Sequence, residues 1–135
     1  MLRQFQIIQL FTVAMLTFYV IGVVGCGSSS AATSAQPSGG SLQIAETDSG
    51  FEPKSITVDR GQALNVTFAN KGKMMHNLRI GSGGQFMGPN DVTFGNPIVQ
   101  PGQSASGLWT APSEAGKVLF RCDVHPNHTG TITVR

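Results

Sequence analysis

Cys122, His125 and His128 stand three residues apart in the run Phe120-Arg-Cys-Asp-Val-His-Pro-Asn-His-Thr-Gly130. A thiolate and imidazoles in such a cluster suit zinc or copper, and the choice between the two depends on geometry and on the remaining donors. A strand sends successive side chains to opposite faces, so this spacing cannot aim all three groups one way while the backbone stays extended. A turn must intervene. Pro126 fixes φ and lacks an N–H, and the Asn-His-Thr-Gly run after it favours turns, so the strand carrying Phe120 to Cys122 should end in a tight loop. Ile132 and Val134 alternate with Thr133 as in a returning strand. The third histidine of the chain, His76, sits in Lys73-Met-Met-His-Asn-Leu-Arg-Ile80, where Leu78 and Ile80 alternate with polar neighbours as on a half-buried strand. All three histidines and Cys122 could therefore meet at one ion.

The elements that must position these groups read as short strands. Alternating runs occur near residues 42–46, 55–58, 63–69, 75–80, 104–109, 117–122 and 130–134. Turn signals separate them at Asp59-Arg-Gly61, Asn70-Lys-Gly72, Gly81-Ser-Gly-Gly84, Gln100-Pro-Gly102 and Glu114-Ala-Gly116. From Ser41 onward no stretch carries a helical period over the needed length. Seven short strands in under a hundred residues indicate an all-β fold, an antiparallel Greek-key sandwich or a barrel. Residues 81–97 lack a pattern and read as a long loop with a short strand near Val92 to Phe94.

The 135 residues leave room for one domain, and a net charge of +2 gives no case for nucleic acid. Arg3 precedes an apolar stretch from Leu10 to Val24, shorter than the ~20 residues of a spanning helix and close to the hydrophobic segment of a secretory signal. It runs into Val23-Val-Gly-Cys26, which resembles the lipobox of bacterial lipoproteins; an uncleaved anchor is the alternative. The resemblance implies a signal peptide over 1–25 and acylation of Cys26. Residues 27–40 are nearly all Gly, Ser, Ala, Thr and Pro, so 26–40 is expected to be a flexible linker and 41–135 the folded domain. Both readings of the N-terminus place that domain outside the cytoplasm, periplasmic or at the cell surface. Cys122 is then a lone thiol in an oxidising compartment, where a metal-bound thiolate is protected and a bare one is not.

The segment from Ser41 to Arg135 resembles the cupredoxins, the blue-copper β-sandwich family, with the closest likeness to plastocyanin and amicyanin. Phe51-Glu-Pro-Lys-Ser-Ile-Thr-Val58, Gly61, Asn70-Lys-Gly72 and His76-Asn77 match its first half. Gln100-Pro-Gly102, Thr110-Ala-Pro112, Gly116 and Phe120-Arg-Cys122 match its second. The resemblance implies one copper per chain, cycling between Cu(I) and Cu(II), with His76, Cys122 and His125 as the trigonal plane. It gives Asn77 the task of pinning the ligand loop to the neighbouring strand. The amicyanin spacing puts His128 where an axial methionine would fall, and no methionine follows Met87. His128 is expected as a fourth ligand, with an exposed or hydrogen-bonding histidine as the alternative.

The function that follows is a monomeric, lipid-anchored, extracytoplasmic one-electron carrier between redox proteins at a membrane, and not an enzyme. Copper trafficking or storage would use the same ligands, a small-ligand enzyme would exploit an open axial position, and a structural zinc site would use the same donors. Met74 and Met75 are expected to include one core-facing side chain, and Lys71, Lys73 and Arg79 are candidates for steering an acidic partner. No nucleophile triad, phosphate loop or carboxylate pair is found.

Overall fold

A computed structural model of the chain describes residues 34–82 and 88–135. The expected signal segment, Cys26 and Met87 lie outside the described residues. The strands are β1 (Ser34–Ala35), β2 (Ser41–Thr47), β3 (Gly50–Glu52), β4 (Ser55–Val58), β5 (Ala63–Asn70), β6 (His76–Ile80), β7 (Val92–Val99), β8 (Ser104–Thr110), β9 (Gly116–Arg121) and β10 (Thr129–Val134). They form two sheets, in the orders β1-β4-β10-β9-β6-β7 and β3-β2-β5-β8.

The alternation seen in the sequence decides which side chains meet between the sheets. Leu64, Val66 and Phe68 of β5, Ile56 and Val58 of β4, and Ile132 and Val134 of β10 all face inward and are buried. Each such side chain contributes about 1.5–3 kcal/mol when withdrawn from water. Phe51 and Phe120 meet edge to face at the centre, with ring centroids 5.0 Å apart. A Cβ on Gly130 would run into the Phe120 ring, so glycine there is what lets β10 lie close against β9.

The two-layer all-β architecture matches the expectation, with additions that alternation alone does not reveal. β2 pairs with β5, and β4 with β10, in parallel, alongside the antiparallel ladders. Ser34–Ala35, within the segment expected as linker, lies parallel to the start of β4. The short strand expected near Val92 to Phe94 is an eight-residue strand, β7, which runs past the end of the expected loop to Val99. Gly95 (φ +74°), Asn96 and Pro97 hide it by breaking the alternation. Their bulge lies opposite Asn77, because β6 pairs His76 with Val99 but Leu78 with Phe94.

The topology gathers three chain segments at one end of the sandwich. These are the end of β2, the start of β6 and the loop from β9 to β10. Parallel pairing sets Glu46 beside Asn70, whose continuation leads into His76. Antiparallel pairing of β6 with β9 sets Ile80 beside Phe120 and Arg79 beside Arg121, so Asn77 and Asp123 come together two residues further on.

Candidate metal centre

The loop after β9 is closed by its own backbone. His128 N–H donates to the His125 carbonyl at 2.8 Å, and Cys122 N–H donates to the His128 carbonyl at 3.1 Å. This is the tight turn that Pro126 and its neighbours predict, and it brings Cys122, His125 and His128 to one side. The loop before β6 is held by Asn70, which is buried. Its amide donates to the carbonyls of Met74 and Val99, and its carbonyl accepts from Gly72 N–H. Asp48 accepts from the N–H groups of Lys73 and Met74 and lies 3.5 Å from His76 Nε2. His76 is thereby fixed with Nδ1 pointing inward.

The structure brings His76, Cys122, His125 and His128 together. Cys122 Sγ lies 3.8 Å from His76 Nδ1 and 3.7 Å from His125 Nδ1. Ligand bonds of about 2.0–2.3 Å to a shared ion would leave S and N about 3.6–3.8 Å apart in tetrahedral or trigonal geometry. The donors are spaced to fit one metal ion. Cys122 is completely buried and in no disulfide.

Asn77, the residue expected to pin the loop, makes four contacts there. Its N–H points at Cys122 Sγ (3.5 Å), its side-chain carbonyl accepts from Asp123 N–H (2.8 Å), and its amide donates to Pro97 and Asp123 at 3.1 Å each. Arg79 then clamps Asp123 through Nε and Nη2 at 2.9 Å each. Arg79 is therefore committed to the ligand loop and not to a surface field. Lys71 and Lys73 remain exposed.

Glu46 is the participant that sequence reasoning missed. It is completely buried, and its Oε1 lies 3.0 Å from His76 Nδ1 and 2.8 Å from His128 Nδ1. Its second oxygen, Oε2, is buried with no hydrogen-bond partner among the described residues. A completely buried carboxylate with one orphaned oxygen, its other oxygen among the imidazoles, suits a bound cation. The donor atoms of Glu46, His76, His125 and His128 all lie within 4.8 Å of one another. The signal was present in the sequence: Leu42, Ile44 and Glu46 share one face of β2, so the alternation that buries the first two also buries the acid.

Burial sets the electrostatics of the centre without an ion. Desolvation pushes the Glu46 carboxyl up to about 8, with the Cys122 thiol beside it pulling the other way. The Cys122 thiol is raised by burial, against the lowering effect of Asn77 N–H, with Glu46 raising it further. His76 is lowered by burial, with Asp48 opposing, and His128 is lowered by burial and by repulsion from His125 and Lys54. Neutral imidazoles are the form that binds metals. A cation would reverse this logic by favouring the thiolate and the carboxylate.

Met74 and Met75 depart from expectation. β6 begins only at His76, so the pair lies in the preceding turn and neither side chain enters the core; they are 44% and 47% exposed.

Comparison with known proteins agrees with this geometry. The cupredoxin-like domain family matches residues 15–134. Among solved structures, reduced auracyanin from the photosynthetic bacterium Roseiflexus castenholzii is 25% identical, with a TM-score of 0.57 over 73% of this chain and 99% of that one. Auracyanin A, a "blue" copper protein from Chloroflexus aurantiacus, is 18% identical, with a TM-score of 0.58 over 75% and 100% of the two chains. A reduced Cu(I) form of an amicyanin variant is 25% identical, with a TM-score of 0.52 over 73% and 86%. No match to a curated protein sequence was found. With nearly its whole length matched and the sandwich and its donor cluster in place, the chain belongs to the cupredoxin-like family.

Proposed function

We propose that this chain binds one copper ion through His76, Cys122 and His125, with Glu46 and His128 completing the shell, and carries single electrons between redox proteins. The observation that supports it most is the placement of Cys122 Sγ at 3.7–3.8 Å from two Nδ1 atoms held by separate parts of the fold. Copper bound there would supply one-electron chemistry between Cu(I) and Cu(II).

The protein's part is to hold the donors still. Neighbouring strands β6 and β9 of one sheet hold His76 and Cys122, the Asn77 N–H steadies the sulfur, and Arg79 locks Asp123 behind it. Donors that move little between oxidation states keep reorganisation small, which favours fast transfer. Glu46 and His128 are harder donors than a thioether and stabilise Cu(II).

The lipobox-like Val23-Val-Gly-Cys26 supports a lipid anchor on Cys26 after removal of residues 1–25. The site then works as a monomer on the outer face of a membrane, exchanging electrons with partners held there. Voltammetry of the copper-loaded protein in the presence of a Cu(I) chelator tests the carrier reading. Repeated reversible waves with copper retained support it, and copper lost to the chelator on the first reduction would indicate trafficking instead.

A further inference from the structure

Methionine is usually withdrawn from water, yet Met74 and Met75 stand side by side at the rim of the centre, about half exposed. The turn that carries them is not loose. Asn70 donates to the Met74 carbonyl at 2.8 Å, and Asp48 accepts from Met74 N–H at 3.1 Å. That same Asp48 oxygen lies 3.5 Å from Nε2 of His76, the next residue after Met75. Asp48 is itself exposed, so its carboxylate and two exposed methionines border the turn that ends at the buried ligand histidine His76. Thioethers are soft, neutral donors that select Cu(I) over Cu(II), and a nearby carboxylate raises the local concentration of any cation.

We propose that Met74 and Met75 form a surface site that captures Cu(I) and passes it to His76 beside them. The step is a ligand exchange without redox change. Thioether–copper bonds break as bonds to His76 Nδ1 and Cys122 sulfur form, and the Cys122 proton leaves to solvent. This rests on the copper reading of the buried centre.

The test compares the metal-free full chain with its Met74→Leu/Met75→Leu variant, which keeps apolar bulk and removes sulfur. Cu(I) is delivered from a chromophoric chelator under reductant, and Cu(II) is delivered as the sulfate in parallel. The variant should take up Cu(I) about tenfold more slowly, the lower end of what local capture adds to an on-rate. Its Cu(II) uptake and final stoichiometry should match the parent. In the parent, Cu(I) added beyond one equivalent should shift the methyl NMR signals of both methionines. Equal Cu(I) uptake by the two proteins, or unmoved methyl signals, overturns the proposal. If neither protein binds copper at all, the reading of the buried centre fails with it. A variant that loads normally but loses electron transfer to a partner would make the pair an apolar docking surface instead.

Discussion

The carboxylate of Glu46 and the imidazole of His128 meet at 2.8 Å although 82 residues separate them in sequence. Neither is a soft donor, and they come from separate parts of the fold, the end of β2 and the loop from β9 to β10. Their pairing sets this centre apart from one that relies on a thioether.

Replacing the acid with its neutral isostere tests what that pairing does. Glu46→Gln should weaken Cu(II) binding by about tenfold or more, the usual effect of losing a ligand or its close support. Cu(I) binding should change less. The reduction potential should then rise by about 59 mV for each tenfold difference between the two ions. Competition titrations with each oxidation state, together with the potential, check this.

His128→Met returns a thioether to the position three residues after His125. Copper should still bind, through Cys122 and two imidazoles, with an optical spectrum shifted toward that of a blue site and a higher potential. A spectrum identical to the parent's would remove His128 from the shell.

The ligand loop depends on Asp123, whose carboxylate takes bonds from Arg79 and Asn77. The Arg79 side-chain hydrogen bonds hold its pKa below the ordinary value, with burial opposing. A depressed folded pKa gives stability that is present above the unfolded value of about 3.9 and lost as pH falls through the folded one. Asp123→Ala should lower the stability of the metal-free protein by about 1–3 kcal/mol near neutral pH, since it strands part-buried donors. It should also flatten the loss of stability in acid. Urea midpoints between pH 6 and pH 3 measure both effects.

Gly130→Ala would push a methyl into the Phe120 ring, which is fixed in turn against Phe51. Overpacking of this kind costs about 1–3 kcal/mol. The denaturation midpoint should fall while the stoichiometry of metal binding stays at one.

Much of the site was legible because its residue types are rare. Three histidines and one cysteine beyond the N-terminal region leave few ways to assemble a cluster, and the three-residue spacing with Pro126 specifies the loop. Asn77 was legible only through the family resemblance, which gives the residue after His76 the task of pinning the loop. Glu46 was harder to read: its alternation with Leu42 and Ile44 marks the buried face, but a strand-end acid usually meets solvent, and only the structure sets it beside His76 and His128. β7 was obscured for a different reason. Gly95 and Pro97 interrupt its alternation to build the bulge whose Pro97 carbonyl accepts from Asn77, so the feature that serves the site is the one that hides the strand. The methionine pair was misplaced because the strand was started one residue early, at Met75, while β6 begins at His76.

Cu(II) added to the metal-free protein, followed by optical and electron paramagnetic resonance spectra of the parent and of Cys122→Ser, tests the central claim most directly. The account predicts one bound copper with an intense thiolate-to-copper absorption band that vanishes in Cys122→Ser. A colourless parent, or one whose visible spectrum survives loss of the thiol, would contradict it.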